Sequence, residues 1–237
     1  MNAAWSFQGS AFHTAIETWE YGYRSGDTAD VVNNALTIYD SLVSEGLREY
    51  PDEKDWLWPR NMKFQTDLDN RRVKLESQVT GFMNWAFDSG CQPWETPDGK
   101  LAIEVPFSVM FDGVLIEGHI DRVDEYPDGK LMVRDLKTGN STPTSFQLIT
   151  YGYALEDTFG LKLSWGDYYM AKTGTTTAPI PIREIPRATI NKWYGSMDRA
   201  VRCGIFLPNP GKDNSNCFAC DVKQHCSLMS NNHSLED

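Results

Sequence analysis

Apolar residues near the amino terminus recur at helical spacing. Phe12, Ala15, Ile16 and Trp19 fall on one stripe, which predicts a helix with one buried face. His13 lies beside that stripe. A histidine in such a place is more often a hydrogen-bonded core residue than a ligand, so the helix alone assigns it no function.

Alternating apolar residues, an Asp-Gly pair and a Pro-Asp-Gly loop then predict three strands in meander order. The approximate bounds of these strands are 101–111, 114–124 and 130–137. The later predicted elements are a helix containing Gln147 and Tyr151, a strand near 165–172 and a helix near 188–203. This order of elements indicates one α/β domain.

The loop at 127–129 decides which side chains of the second and third strands meet. With three loop residues, Asp121 falls opposite Asp135 and shares a face with Asp135 and Lys137, whereas a two-residue turn would turn Asp121 away. Two facing aspartates repel each other and favour a cation between them, such as magnesium or manganese. With Lys137 serving the attacking water, the arrangement is typical of a metal-dependent phosphodiesterase. The alternative is a solvated hairpin face, where Asp and Lys are common.

The composition limits the remaining classes of protein. The 237 residues, 41% of them hydrophobic, can bury one large core, and no apolar stretch has the length of a membrane span. Because the amino terminus lacks a signal-peptide pattern, we expect an intracellular, cytoplasmic protein. Five cysteines, with Cys217, Cys220 and Cys226 in one short loop, favour metal ligation over disulfides.

Four separated blocks and the cysteine loop resemble the RecB-type branch of the PD-(D/E)xK nuclease superfamily. The resemblance is to its iron-sulfur exonucleases, typified by the CRISPR-adaptation nuclease and the AddB nuclease domain. The blocks lie at 9–17, 118–124, 135–139 and 147–151. The resemblance implies a restriction-endonuclease-like α/β core over residues 1–206, with a central mixed sheet flanked by helices. It also implies a small cysteine-bound cap at 207–237 and a bacterial or phage source.

The resemblance also implies roles for the residues of the site. His13, Asp121, Asp135 and the Leu136 carbonyl would bind Mg²⁺ or Mn²⁺, and the imidazole would favour Mn²⁺. Lys137 would serve the attacking water.

The resemblance also bears on other residues near the site. Gln147 and Tyr151 would border the catalytic centre and contact water or the nucleic-acid backbone. Glu104 either supports the metal site or faces solvent, and Glu17 either orients His13 or is an ordinary exposed helix residue. We treat His119, which should share the face of Asp121, as structural.

The three clustered cysteines resemble ligands of a [4Fe-4S] cluster, whose fourth thiolate normally precedes the histidine helix. Only twelve residues precede His13 and none is cysteine, so we expect an amino terminus that is truncated or begins at a late start codon. Cys91 and Cys203 are expected to be buried small residues rather than substitute ligands. The alternative is a Zn²⁺ site completed by His225 or His233.

The expected substrate is DNA, above all single-stranded ends, which an exonuclease would degrade in recombination, repair or phage DNA processing. Helicase, recombinase or integrase partners and oligomeric assembly would fit such roles. Because the net charge of -11 argues against strong non-specific duplex binding, we expect a local basic groove with stacking aromatic residues. The residues considered for it are Arg60, Lys63, Arg71, Arg72, Lys74, Phe64, Phe82 and Trp85. The alternatives are a solvated helix face and, for the whole protein, a catalytically idle nucleic-acid-binding or integrase-partner subunit.

Overall fold

The computed structural model describes residues 2–59, 61–139, 144–209, 217, 220 and 222–226. Its α-helices are α1 (Ala4–Tyr21), α2 (Thr28–Glu49), α3 (Phe64–Ser89), α4 (Phe146–Phe159) and α5 (Arg187–Arg202). Short 3-10 turns occupy Glu53–Asp55, Ile182–Glu184 and Lys223–His225. Within these described ranges, none of the helices combines the length and apolar character needed to cross a bilayer.

The strands form a small parallel pair and one larger mixed sheet. The pair is β1 (Asn2–Ala3) with β2 (Trp56–Leu57). The strands of the larger sheet are β3 (Gln92–Pro93), β4 (Ile103–Phe111), β5 (Val114–Glu125), β6 (Leu131–Lys137), β7 (Trp165–Met170), β8 (Thr175–Thr176) and β9 (Ile180–Pro181). In this sheet β6 and β7 pair in parallel, and all other described pairs of strands are antiparallel. The predicted central mixed sheet flanked by helices is confirmed.

Local turn chemistry builds the two hairpins that join β4, β5 and β6. Asp112 and Gly113 both have positive φ, at 53° and 78°, as a two-residue type I′ turn requires. In the second loop the Gly129 amide bonds to the Tyr126 carbonyl at 2.8 Å, and Gly129 takes a φ of 79°. The second loop therefore has the left-handed glycine that the sequence predicted.

Helix α4 carries the chain from β6 to β7, which lie side by side and run in the same direction. Parallel neighbours need such a crossover, since a short turn cannot join them. The carboxyl ends of β6 and β7 therefore meet at one edge, beside the first turn of α4.

Two hydrophobic cores hold the helices to the sheet. On one side α1, α2 and α3 pack together, and the predicted stripe of α1 is buried there with Phe12 fully enclosed. On the other side α4 packs through residues such as Leu148 and Leu155 against Val123, Val133 and the inner residues of β4. Because both faces of the sheet are covered, charged side chains on its strands need specific partners.

A buried ionic network joins β5, β6 and β7 to α1. Arg122 donates to Asp124 at 2.6 Å and to Glu20 at 3.0 Å. Arg134 donates to Asp167 at 2.7 Å and also bonds to Asp124. Both guanidinium groups are essentially inaccessible to solvent, so each is compensated by carboxylates rather than water. No pattern in the sequence predicted this network.

Candidate active site

The site forms where β5 separates from β6. The ladder between these strands runs from Glu125 with Leu131 to Arg122 with Arg134, and the same register would set Asp121 opposite Asp135. This is the register that the loop predicted. The backbone pairing of the two strands stops at Arg122. Beyond it, the Asp121 side chain takes the place of a backbone acceptor, because its Oδ2 accepts the backbone N–H of Leu136 at 2.7 Å.

His13 reaches this point from α1. Phe12 and Ile16 are buried on the apolar stripe of α1, and this burial fixes the rotation of the helix about its axis. The half-buried imidazole of His13 therefore points toward the strands. Its Nδ1 lies 3.6 Å from Glu104 Oε1 and 3.9 Å from Asp121 Oδ2. One potential ligand atom from each of these three residues lies within 4.8 Å of the others.

Glu104 is placed by an unusual backbone conformation. Its φ is 47°, in the left-handed region that non-glycine residues seldom adopt. Residues Ile103 and Val105 on either side pair with Arg122 and Ile120, while no pairing joins Glu104 to Asp121. The local distortion accompanies a carboxylate that meets His13, and strained residues of this kind are concentrated at functional sites.

A second set of groups continues from Asp135 toward α4. Lys137 Nζ lies 2.6 Å from Asp135 Oδ2 and donates to Gln147 Oε1 at 3.2 Å. Gln147 in turn donates to the hydroxyl of Tyr151 at 2.7 Å. Gln147 and Tyr151 are one helical turn apart in the first part of α4, so the helix holds both on the side of Lys137.

Burial and nearby negative charges raise the pKa values of the two aspartates. Burial and the charge of Asp121 raise the pKa of Asp135 from 3.8 to about 6, although Lys137 opposes the shift. Burial likewise raises the pKa of Asp121, against the influence of His13 and the Leu136 hydrogen bond. Burial alone would lower the pKa of His13, but the contact with Glu104 and the charge of Asp121 raise it. The site therefore disfavours its own negative charge.

This donor set fits a divalent cation. Carboxylate oxygens suit Mg²⁺ and Mn²⁺, and an imidazole shifts the preference toward Mn²⁺. Asp135 Oδ2 is buried and makes no hydrogen bond of good geometry, despite its close approach to Lys137 Nζ. A bound cation would offset the charge of Asp121, which adds to burial in raising the pKa of Asp135.

The structure brings most of the predicted site residues together. His13 and Asp121 are in contact, and Asp135, Lys137, Gln147 and Tyr151 form the adjoining chain of contacts. For Leu136 the structure assigns its N–H to Asp121, whereas a role of its carbonyl stays a prediction.

Three further residues lie near the site. Glu104, for which the sequence left two alternatives, joins His13 rather than facing solvent alone. Burial and the charge of Glu104 raise the pKa of Glu17, which indicates that Glu17 approaches the same place. His119 is exposed on the strand that carries Asp121. The position of Glu104 opposite Asp121 in the hairpin register was consistent with the first alternative, but that register does not show the left-handed backbone that brings Glu104 to His13.

The predicted aromatic stacking surface on α3 is wrong. Phe64 and Phe82 are buried, at 6% and 0% exposure, and Trp85 packs against the core beneath Arg134. Their helical spacing turns them inward, where they fill the space between helices and sheet.

The basic residues of α3 are only partly available for binding. Arg71 pairs with Asp67 and Arg72 pairs with Asp40, while Arg60 lies outside the described residues. Burial and the neighbouring charges of Arg71 and Lys172 lower the pKa of Lys74, so positive charge does concentrate there.

The described cysteines differ in exposure. Cys91 is buried as expected, but Cys203 is exposed, since it follows α5 at the surface. Cys217, Cys220 and Cys226 are half-buried, and backbone bonds of 3.5 Å and 3.3 Å form turns around Cys220.

Much of the carboxy-terminal segment lies outside the described residues, and His233 is among those positions. The cysteine-bound cap over 207–237 and its metal therefore stay predictions.

Comparison with known proteins identifies the family of the chain. The family model of the PD-(D/E)XK nuclease superfamily matches residues 4–227. The Gene 69 protein of Mycobacterium phage D29 is 34% identical over 236 residues, covering 96% of this chain and 86% of that protein. The Gene 69 protein of Mycobacterium phage L5 is 32% identical over 255 residues, covering 96% and 87%. The chain therefore belongs to the PD-(D/E)XK nuclease superfamily.

Proposed function

We propose that this protein is a metal-dependent deoxyribonuclease that acts as an exonuclease on single-stranded DNA ends, in phage DNA processing, recombination or repair. One observation carries the proposal. The His13, Glu104 and Asp121 ligand atoms converge within 4.8 Å, beside an Asp135 carboxylate that contacts the Lys137 amine. A solvated hairpin face would not require a histidine from a separate helix, a buried Asp135 carboxylate or an Asp121 carboxylate that accepts a backbone N–H.

The reaction adds water across a phosphodiester. The water oxygen bonds to phosphorus, the bond from phosphorus to one sugar oxygen breaks, and that oxygen takes up a proton. Lys137 is placed to donate a hydrogen bond to the attacking water or to a phosphate oxygen, which offsets the negative charge of the transition state. Gln147 accepts from the Lys137 amine and donates to Tyr151, so these two residues orient the amine.

His13, Glu104, Asp121 and Asp135, with the Leu136 carbonyl, would hold Mg²⁺ or Mn²⁺. A divalent ion bound there supplies polarisation of a phosphoryl oxygen and a lower pKa for water. The hydrogen bond from the Leu136 N–H fixes the orientation of the Asp121 carboxylate before any ion binds.

Substrate preference follows from charge. A net charge of -11 argues against strong non-specific binding to a duplex. The cations Arg71, Lys74 and Lys172 give one local region of positive charge to which a single strand could bind.

For Cys217, Cys220 and Cys226 we propose a [4Fe-4S] cluster, with Zn²⁺ as the alternative. The three cysteines are half-buried, and the turns around Cys220 are compatible with ligation by thiolates. Elemental analysis of anaerobically purified protein should find iron, with a visible absorption that disappears in the Cys220→Ser variant. Zinc without iron would contradict the cluster.

The nuclease proposal is tested by Lys137→Ala, with Lys130→Ala as the control. Lys130 is exposed in the loop of the same hairpin and contacts no residue of the site. With Mn²⁺ and single-stranded oligonucleotides blocked at one end or the other, Lys137→Ala should lose about 10²- to 10⁴-fold in kcat, while Lys130→Ala stays near wild type.

Two results would contradict this proposal. Undiminished degradation by Lys137→Ala would show that another site or a contaminant is responsible. DNA binding without cleavage by the wild-type protein would favour the catalytically idle subunit instead.

A further inference from the structure

A cleft opens between β5 and α4, beside the hydrogen-bonded residues Lys137, Gln147 and Tyr151. Its volume is about 270 Å³, and a wider depression of about 620 Å³ continues it along β4 and β5. Both share Phe107, Glu117 and His119 in their walls. The first cleft is also lined by Gln147, Tyr151 and Tyr194.

The cleft begins next to the groups that would carry the reaction. Gln147 and Tyr151 line it and are the same residues that orient the Lys137 amine. His119 and Asp121 are alternate residues on one face of β5, so their backbones are about 7 Å apart along the strand. Whatever occupies the cleft is therefore a near neighbour of the reacting phosphate.

Aromatic rings form one wall of the cleft and its rim. Phe146 lies 5.2 Å from Tyr194 and 5.6 Å from Trp193, measured between ring centroids. Tyr194 is fixed from behind, because it stacks on Phe111 at 5.0 Å and its hydroxyl bonds to Thr150 at 3.0 Å. Trp193 is not among the lining residues of the cleft, but it extends the aromatic group through its contact with Phe146 and remains 39% exposed. These rings give a firm, partly open surface on which a planar group could stack.

The polar groups of the cleft suit a neutral partner. Among the described residues that line it, none is lysine or arginine, and Glu117 contributes a carboxylate. A phosphate would be repelled by that carboxylate and would find no lysine or arginine among these lining residues. A nucleobase edge offers N–H donors to Glu117, while its ring can stack on the aromatic wall.

We propose that this cleft binds one unpaired nucleobase of the DNA strand, adjacent to the phosphate that is cut. The inference rests on the proposed function and deepens it, since it gives a physical reason for a single-strand requirement. A base within a duplex is stacked and paired, and it can enter such a cleft only after leaving the helix. A base in a single strand enters without that cost.

The test measures binding rather than cleavage. Fluorescence anisotropy with Ca²⁺ is recorded for Lys137→Ala protein and a labelled single-stranded oligonucleotide, in which an abasic analogue replaces one nucleotide at a time. Trp193→Ala removes part of the aromatic rim, and Trp165→Ala is its control because Trp165 is equally exposed, at 40%, on β7 away from the cleft.

We expect an abasic analogue at one position to weaken binding by roughly 5- to 150-fold, as the loss of one stacked base does. Trp193→Ala should weaken binding of the intact strand and should make that position insensitive to the abasic change. Trp165→Ala should bind both the intact and the abasic strands as the Lys137→Ala protein does. A flat abasic scan, or the same abasic penalty in Trp193→Ala, would overturn the inference.

Failure of the inference and failure of the proposed function give different results. A wild-type protein that shows the position-specific abasic penalty but cleaves no DNA keeps the base cleft and refutes the nuclease proposal. A protein that cleaves DNA with no dependence on any one base keeps the nuclease proposal and refutes the cleft. Thermal unfolding of each variant checks that Trp193→Ala is folded.

Discussion

The Asp135→Asn substitution should stabilise the protein when divalent ions are removed. Asp135 is 1% exposed, and burial together with Asp121 raises its pKa from 3.8 to about 6. The shift already includes the opposing attraction of Lys137. At pH 7 the ionised carboxylate therefore costs up to about 3 kcal/mol of folding free energy, which a neutral amide of similar shape would not.

The sign of this effect depends on pH. Because folding raises the pKa, the cost is absent only well below pH 4, where the carboxyl is protonated in both states, and it is complete above about pH 6 to 7. In urea unfolding with EDTA, Asp135→Asn should thus be more stable than wild type at pH 7, and the difference should be nearly lost near pH 4. Asp128→Asn, an exposed change in the same hairpin, should have no effect at either pH.

Adding Mn²⁺ should reverse the order of stability. A ligand that binds only the folded state stabilises it by about 2.7 kcal/mol at a hundred times its Kd, and the variant has lost one carboxylate ligand. Wild type should gain more from Mn²⁺ than Asp135→Asn does. The reasoning fails if the variant is less stable than wild type in EDTA at pH 7, or if the difference is the same at pH 4 and pH 7.

Two other predictions concern the elements around the site. Glu104→Gln should lower Mn²⁺ affinity at least tenfold in calorimetric titration, whereas Glu117→Gln should not, and equal affinities would remove Glu104 from the site. Arg134→Met leaves the buried Asp167 carboxylate without its arginine partner and removes one of the two arginines at Asp124, so it should destabilise the fold by about 3–5 kcal/mol in urea unfolding. Arg72→Ala, which breaks a half-exposed ion pair, should cost less than about 1 kcal/mol, and similar losses for both arginines would contradict the network's importance.

The parts that the sequence predicted well are those with local causes. The Gly129 loop sets the register of Asp121 against Asp135 within a few residues, so turn chemistry was sufficient. The stripe around Phe12 gave both the helix and the side on which His13 emerges.

Other features depend on distant contacts and have no local signal. The left-handed backbone at Glu104 turns its carboxylate toward a helix some ninety residues earlier, and no pattern around Glu104 announces this. Arg122 and Arg134 resemble surface charges in the sequence, and only the stacking of β5, β6 and β7 under α1 encloses them. Conversely, the apolar spacing on α3 belongs to a core face, so the aromatic residues considered for a nucleic-acid surface are buried or packed against the core instead.

The alternation of charges along the hairpin has a consequence for how the chain avoids folding errors. The carboxylates of Asp121 and Asp135 face the pocket of the candidate metal site, while their neighbours Arg122 and Arg134 face the interior. If β5 or β6 were displaced by one residue, guanidinium groups would enter the pocket and aspartates would lie unpaired against the aromatic rings of α3. Such a misaligned hairpin is penalised on both faces at once, so the residues suited to hydrolysis also help to exclude wrong pairings during folding.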